Sequence, residues 1–274
     1  NYANYLKDHH GVELIYIEVD RYGQVDLEDY AQKLNPEKVF LATCMYANNE
    51  TGFVFPVQKM AQMAREKGIL FHTDVVAVAG KIPLSFQELG VDFLSFSSHK
   101  FGGLKGCGGH LIRGSQKMIP LILGGTHENS IRAGTHNVYG IAATAYALDL
   151  SLNQIENKMA HEVEIRELMK SQIKEAYPDA VFIESKENIT QTLNASFPGL
   201  NGNLLLTNLD LEGISVSYGS ACLSGAVEIS RVIRNLKIPI NEARSAIRFS
   251  FGAKTTKDMV MDFGNRLKVI IERM

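Results

Sequence analysis

Two stretches decide the fold: "ILFHTD" (69–74) and "DFLSFSSHKFGGLKG" (92–106). Each opens on an apolar run and ends on chemistry, Asp74 in the first and His99 with Lys100 in the second. A solvated lysine has no need of an apolar strand in front of it and a glycine cluster behind. Working outward, "VELIYIEV" (12–19), "KVFLATCMY" (38–46) and "GGHLIR" (108–113) also read as strands. Between them "VDLEDYAQKL" (25–34) reads as a helix with acids in its first turn, and "PVQKMAQMAREKG" (56–68) as one opened by Pro56 and closed by Gly68. Near-continuous apolar strands alternating with helices predict an α/β protein with a covered, mostly parallel sheet. Ligands collect at the carboxyl ends of such strands. Asn48, Asn49, Asp74, His99 and Lys100 all fall there.

The pattern then changes. Residues 137–176 are helical with a break near Ser151. Beyond them "AVFIE", "TLNASFP", "GISVS" and "AIRFSFG" read as strands, and 202–210, 226–236 and 255–272 as helices. The expected division is a large ligand-binding domain over 1–150 and a smaller α+β domain over 151–274. The first residues, "NYANYLKDHHG", form a helix ending at Gly11 with no start signal but Asn1 itself.

Composition narrows the function. The 274 residues are 45% hydrophobic, enough for a substantial core. Lys plus Arg is 28 and Asp plus Glu 30, a net charge of -2, so no basic field points to nucleic acid. No apolar run reaches membrane-spanning length, and the polar first ten residues do not resemble a signal peptide. Cys44, Cys107 and Cys222 are too few and odd in number for a disulfide scaffold, which predicts a reducing, cytoplasmic setting. Cys107 and His110 are the only close Cys/His pair, so no metal site is expected.

An acid and a lysine at strand ends are what pyridoxal phosphate requires. The lysine amine condenses with its aldehyde, and the carboxylate holds a proton on its ring nitrogen, making the ring an electron sink. Ser97 and His99 are candidate phosphate donors. Blander readings stand beside these. Asp74 can be a helix N-cap, Arg248 an edge-strand arginine, and Cys44, Cys107 and Cys222 packing residues.

Asp74, "SFSSHKFGGLKGCGG", "GGTHENSIRAGT" (124–135), "YGSACLSG" (218–225) and "SAIRFSFG" (245–252) together resemble the group I, NifS- and IscS-like, cysteine desulfurases. These belong to the class V aminotransferase family of pyridoxal-phosphate-dependent transferases, of the aspartate aminotransferase-like fold type I. The resemblance runs nearly end to end, and what it implies is specific. Lys100 is the cofactor-linked lysine and the base at the substrate Cα, and Asp74 pairs with the ring nitrogen. Asn49, in "NNETG", contacts the cofactor or the substrate carboxylate. Ser97 and His99 bind phosphate, and Thr135 reaches the phosphate of a partner subunit in a homodimer. Arg248 takes the substrate carboxylate through its planar fork. Cys222 accepts sulfur from L-cysteine as a persulfide, leaving alanine. The sulfur then passes to an iron–sulfur scaffold or a tRNA-thiolation acceptor protein, with no direct nucleic-acid or membrane contact.

The chain departs from the resemblance in three places. Ala77 stands where the family has a glutamine that donates to the cofactor's phenolic oxygen. "HENSIRAGT" is less basic than the family version. The family's phosphate-binding turn and ring-stacking histidine have no counterpart here and are expected upstream of Asn1. Two alternatives therefore stay open: another class V activity, such as an aminotransferase or selenocysteine lyase, and a truncated, non-catalytic paralogue serving as a dimerisation or scaffold protein.

Overall fold

A computed structural model describes residues 2–114, 116, 118–218 and 229–274. The first sheet has four strands, β1 (Leu41–Met45), β2 (Leu70–Asp74), β3 (Phe93–Ser97) and β4 (Gly108–Ile112), in that spatial order. β1, β2 and β3 are parallel and β4 returns antiparallel. One face, carrying Cys44, Phe71 and Leu94, packs into a core with Met60, Ala61 and Ala64 of α3 (Val57–Glu66) and Tyr30 of α2 (Leu27–Lys33). Burying each large side chain there contributes roughly 1.5–3 kcal/mol.

The helix ends follow their sequence signals. Asp26 caps α2 by accepting from the Glu28 and Asp29 amides, and Gly68 turns the chain out of α3 at φ +72. The opening helix α1 (Tyr2–His10) buries none of its residues and ends at Gly11 with φ +66. A short helix α4 (Phe86–Leu89) precedes β3.

α5 (Val138–Asn153) and α6 (Ile155–Ala176) meet at Gln154, close to the expected break. They lead to a second, antiparallel sheet of β5 (Val181–Phe182), β6 (Thr192–Ser196) and β7 (Ala246–Ser250), with β6 central. Its core is separate. Leu193, Ala195, Ile247 and Phe249 of the sheet meet Ile165, Met169 and Ile173 of α6, Leu205 and Leu209 of α7 (Gly202–Leu211), and Phe263, Leu267 and Ile270 of α10 (Lys257–Arg273). A third apolar cluster joins Phe53 of the first half to Ile183, to Ile233 and Leu236 at α8 (Arg231–Asn235), to Ala243 of α9 (Ile240–Ala243), and to Ala246.

Two strand expectations fail. Residues 12–19 and 213–217 form no strand; each contributes an isolated bridge, Val19 with Val25 and Ser217 with Arg248. An extended apolar run becomes a strand only where another strand accepts its backbone groups along its length. The helix expected over 226–236 spans Arg231–Asn235 among the described residues. No helix among them is long and apolar enough to cross a membrane.

Candidate active site

Asp74 is the last residue of β2, flanked by Met45 on β1 and Ser95 on β3. It is exposed, and its Oδ1 accepts the Val76 amide at 2.8 Å. The lysine follows β3 directly, on a one-turn 3-10 helix (Ser98–Phe101). Ser98 and Phe101 are buried and anchor that turn, while His99 and Lys100 between them are exposed. Gly103 closes it by donating to the Ser98 carbonyl at 3.0 Å, and the Ser98 amide donates to Cys107 O at 3.0 Å. A Cβ on Gly103 would stand 1.9 Å from Ser98 Oγ, so the turn requires glycine there. The glycine cluster is thus the device that presents Lys100 at the strand end.

Ser97 Oγ and His99 Nδ1 are hydrogen-bonded at 2.8 Å beside the lysine. Because Ser95 registers with Asp74, Ser97 lies on the same face of the sheet. By ordinary strand spacing its Cα is about 8 Å from that of Asp74. An acid for a ring nitrogen, a hydroxyl–imidazole pair for a phosphate and an exposed lysine thus stand at the ends of two neighbouring strands. This donor set fits pyridoxal phosphate.

Arg248, on β7, reaches across to the first sheet. Its Nη1 donates to the Asn49 carbonyl at 3.2 Å and its Nη2 to Ser217 Oγ at 3.0 Å. Asn49 is exposed in a turn built by Asn48, whose Oδ1 accepts the Glu50 and Thr51 amides at 2.8 and 3.0 Å. Asn194, the register partner of Arg248, donates to the Glu50 carbonyl at 3.1 Å. Arg248 Nε, Asn194 Oδ1 and Glu50 Oε2 are buried with no hydrogen-bond partner among the described residues. They line one polar seam between the two sheets.

The strand ends therefore gather Asp74, Ser97, His99 and Lys100, and a cross-sheet contact ties Asn49 to Arg248. Thr135 is exposed in the loop before α5, and no hydrogen bond joins it to this group. Cys222 lies outside the described residues. Among the described residues no three His, Cys, Asp or Glu side chains are grouped to hold a metal.

Two features escaped the sequence reading. A polar chain crosses the first sheet on the face of Asp74. Thr43 Oγ1 meets His72 Nδ1 at 2.8 Å, His72 Nε2 meets Ser95 Oγ at 2.9 Å, and Ser95 Oγ meets His110 Nδ1 at 3.1 Å. Burial, and then His110, hold His72 below the usual histidine range, against the pull of Asp74. The two-residue spacing of His72 and Asp74 was the available signal. The other feature is Lys81. Burial first, then Lys158, pushes its amine down to about 8, with Lys100 adding a little and Glu162 opposing.

The family model for aminotransferase class-V matches residues 1–263. The chain belongs to the aminotransferase class-V family. Its relatives include a cysteine desulfurase IscS of Dictyoglomus turgidum, 39% identical over 265 residues that cover 96% of this chain and 67% of the relative. A cysteine desulfurase of Gluconacetobacter diazotrophicus is 37% identical over 262 residues, covering 94% and 65%. Among solved structures, a NifS-like protein superposes with a TM-score of 0.90 at 32% identity, over 99% of this chain and 71% of that one. A NifS-like protein from Rickettsia africae gives 0.87 at 26%, over 99% and 73%. The chain thus spans about two thirds of the length of the curated relatives it matches. This class V family is pyridoxal-phosphate-dependent, in keeping with the donor set at the strand ends, and the fold is that of its NifS-like members.

Proposed function

We propose that this class V chain acts as a cysteine desulfurase, converting L-cysteine to L-alanine with transfer of sulfur to Cys222. The observation that carries the reading is that Asp74 and the Lys100 turn lie at the ends of two neighbouring parallel strands, with Ser97, the last residue of β3, hydrogen-bonded to His99 on that turn. Residues 1–150 form the cofactor-binding domain in this reading, and 151–274 the smaller domain that brings Arg248 and Cys222.

Bound pyridoxal phosphate supplies an electron sink that makes the substrate Cα proton removable. The chain's own residues do the rest. Asp74 holds the ring-nitrogen proton. Ser97 and His99 hold the phosphate, with Thr135 serving a partner copy. Asn49 and Arg248 orient the substrate, its carboxylate against the guanidinium fork. The freed Lys100 amine takes the Cα proton. The Cys222 thiolate attacks the substrate sulfur; the Cβ–S bond breaks, and the Cys222 persulfide forms as alanine leaves. The sulfur then goes to an acceptor protein for iron–sulfur clusters or tRNA thiolation, in a reducing cytoplasm that suits the free thiols Cys44 and Cys107.

A homodimer fits the surface. Ile119 (93%), Leu121 (91%) and Tyr139 (88%) are almost fully exposed, and Leu123 and Ile141 are exposed as well. α5 is apolar around most of its circumference yet buries only Gly140 and Ala147. A surface this apolar calls for a partner.

The test is to add pyridoxal phosphate, reduce with borohydride and map the modified peptide. Modification confined to Lys100, with L-cysteine-dependent alanine release and, once a dithiol is added to reduce the persulfide, sulfide release, supports the proposal. Modification elsewhere refutes the site, and keto-acid formation in place of sulfide points to an aminotransferase.

A further inference from the structure

We infer that Ser217 is a positioning residue for Arg248, and through it for the carboxylate of an α-amino-acid substrate; the inference rests on the desulfurase reading above. Ser217 is held to Arg248 three times. Its amide donates to the Arg248 carbonyl at 3.1 Å, the Arg248 amide donates to its carbonyl at 2.8 Å, and Arg248 Nη2 donates to its Oγ at 3.0 Å. The two backbone bonds make one closed antiparallel pair, and among the described residues 213–216 joins no sheet. One residue is thus stitched to the sheet edge at the arginine.

A guanidinium is planar, so two fixed donors set its orientation. Ser217 Oγ holds one donor and the Asn49 carbonyl holds the other, from opposite sides of the seam. Arg248 would otherwise sample many rotamers at the end of its long stem. Ordering it in advance removes that cost from substrate binding. The Ser217 hydroxyl lies at the second sheet and touches no residue of the Asp74–Lys100 group by hydrogen bond. It therefore acts on carboxylate capture, not on the proton transfer. Tyr218 reinforces the position from the next residue, its hydroxyl donating to the Arg244 carbonyl at 3.1 Å.

The experiment uses the protein loaded with pyridoxal phosphate and has two arms. In the first, Ser217→Ala, Arg248→Gln and the double variant are unfolded in urea. A tie between the side chains makes the double variant's midpoint shift smaller than the sum of the single shifts; additive shifts overturn the inference. In the second, Ser217→Ala raises KM for L-cysteine roughly ten-fold with kcat nearly unchanged, and Ser217→Thr restores it. A fall in kcat at constant KM, or no rescue by threonine, overturns the inference while leaving the desulfurase reading in place. Absence of cysteine turnover in the unsubstituted protein, with the urea coupling intact, overturns the desulfurase reading and Ser217's substrate role together.

Discussion

Arg248 donates to the backbone carbonyl of Asn49 across 199 residues of chain, at 3.2 Å. That contact brings the last strand of the second sheet to the turn after the first strand of the first. Lysine at 248 keeps the charge but loses the planar fork that spans Asn49 and Ser217. Arg248→Lys is expected to weaken L-cysteine binding by about 1.5–3 kcal/mol, roughly ten- to 150-fold in KM. Steady-state kinetics at varied L-cysteine check this, and an unchanged KM removes Arg248 from the substrate's carboxylate.

Gly103 tests the lysine turn without touching the lysine. A methyl group there collides with Ser98 Oγ at 1.9 Å and crowds the Ser98 carbonyl at 3.1 Å. Gly103→Ala is expected to cost about 1–3 kcal/mol of stability by overpacking. It should also weaken pyridoxal phosphate retention, because Ser98 anchors the turn that carries His99 and Lys100. Dialysis followed by the visible absorption of the retained cofactor measures the second effect.

Lys81 gives stability a pH dependence of calculable sign. Its folded pKa is about 8, against an ordinary value of 10.5. Between those pH values the unfolded chain holds a proton that the folded chain has released. Stability from this group therefore rises with pH across that window, and below about pH 8 its charge works against folding. Lys81→Met is expected to be more stable than the unsubstituted protein at pH 7. It should lack the rise from pH 8 to 10, read from urea midpoints of the two proteins side by side. Parallel curves would mean that the amine is solvated.

Glu162 is fully buried on α6. Thr190 Oγ1 donates to its Oε2 at 2.5 Å, and Lys158 Nζ stands 3.9 Å from its Oε1. Truncation strands two nearby ammonium groups, Lys158 and Lys81, without their carboxylate. Glu162→Ala is expected to destabilise by roughly 3 kcal/mol. Lys81→Met in the same chain should recover part of that loss, measured by the same urea titration.

Cys44 faces the first core, and burial pushes its thiol up to about 12 from an ordinary 9.0. Burial therefore sharply lowers its thiolate population relative to a free thiol. A disulfide reagent is expected to label Cys44 only after denaturation, and mass mapping of native and urea-treated protein reads this directly. Fast native labelling would mean that the strand opens.

Much of this was legible in the residues. Periodicity and helix signals found β1 to β4, α3 and the break between α5 and α6. Asp74 and Lys100 stood out because each ends an apolar run. The runs at 12–19 and 213–217 misled because an isolated segment does not say whether a neighbour will pair with it. The Arg248–Asn49 contact was beyond local reading, since it depends on how two sheets meet. The His72–Ser95–His110 chain depends on strand register, and the lowered Lys81 amine depends on burial beside Lys158.

The polar seam has a consequence for how the sequence can drift. Arg248 bonds the carbonyl of Asn49, Asn194 that of Glu50, and Gln191 that of Ala77 at 3.2 Å. Each of these contacts reads main chain, which every residue type offers alike. Exchanging the side chain at position 77 leaves its carbonyl for Gln191 in place, so ligand contacts on one side of the seam can diverge while the two halves keep their grip.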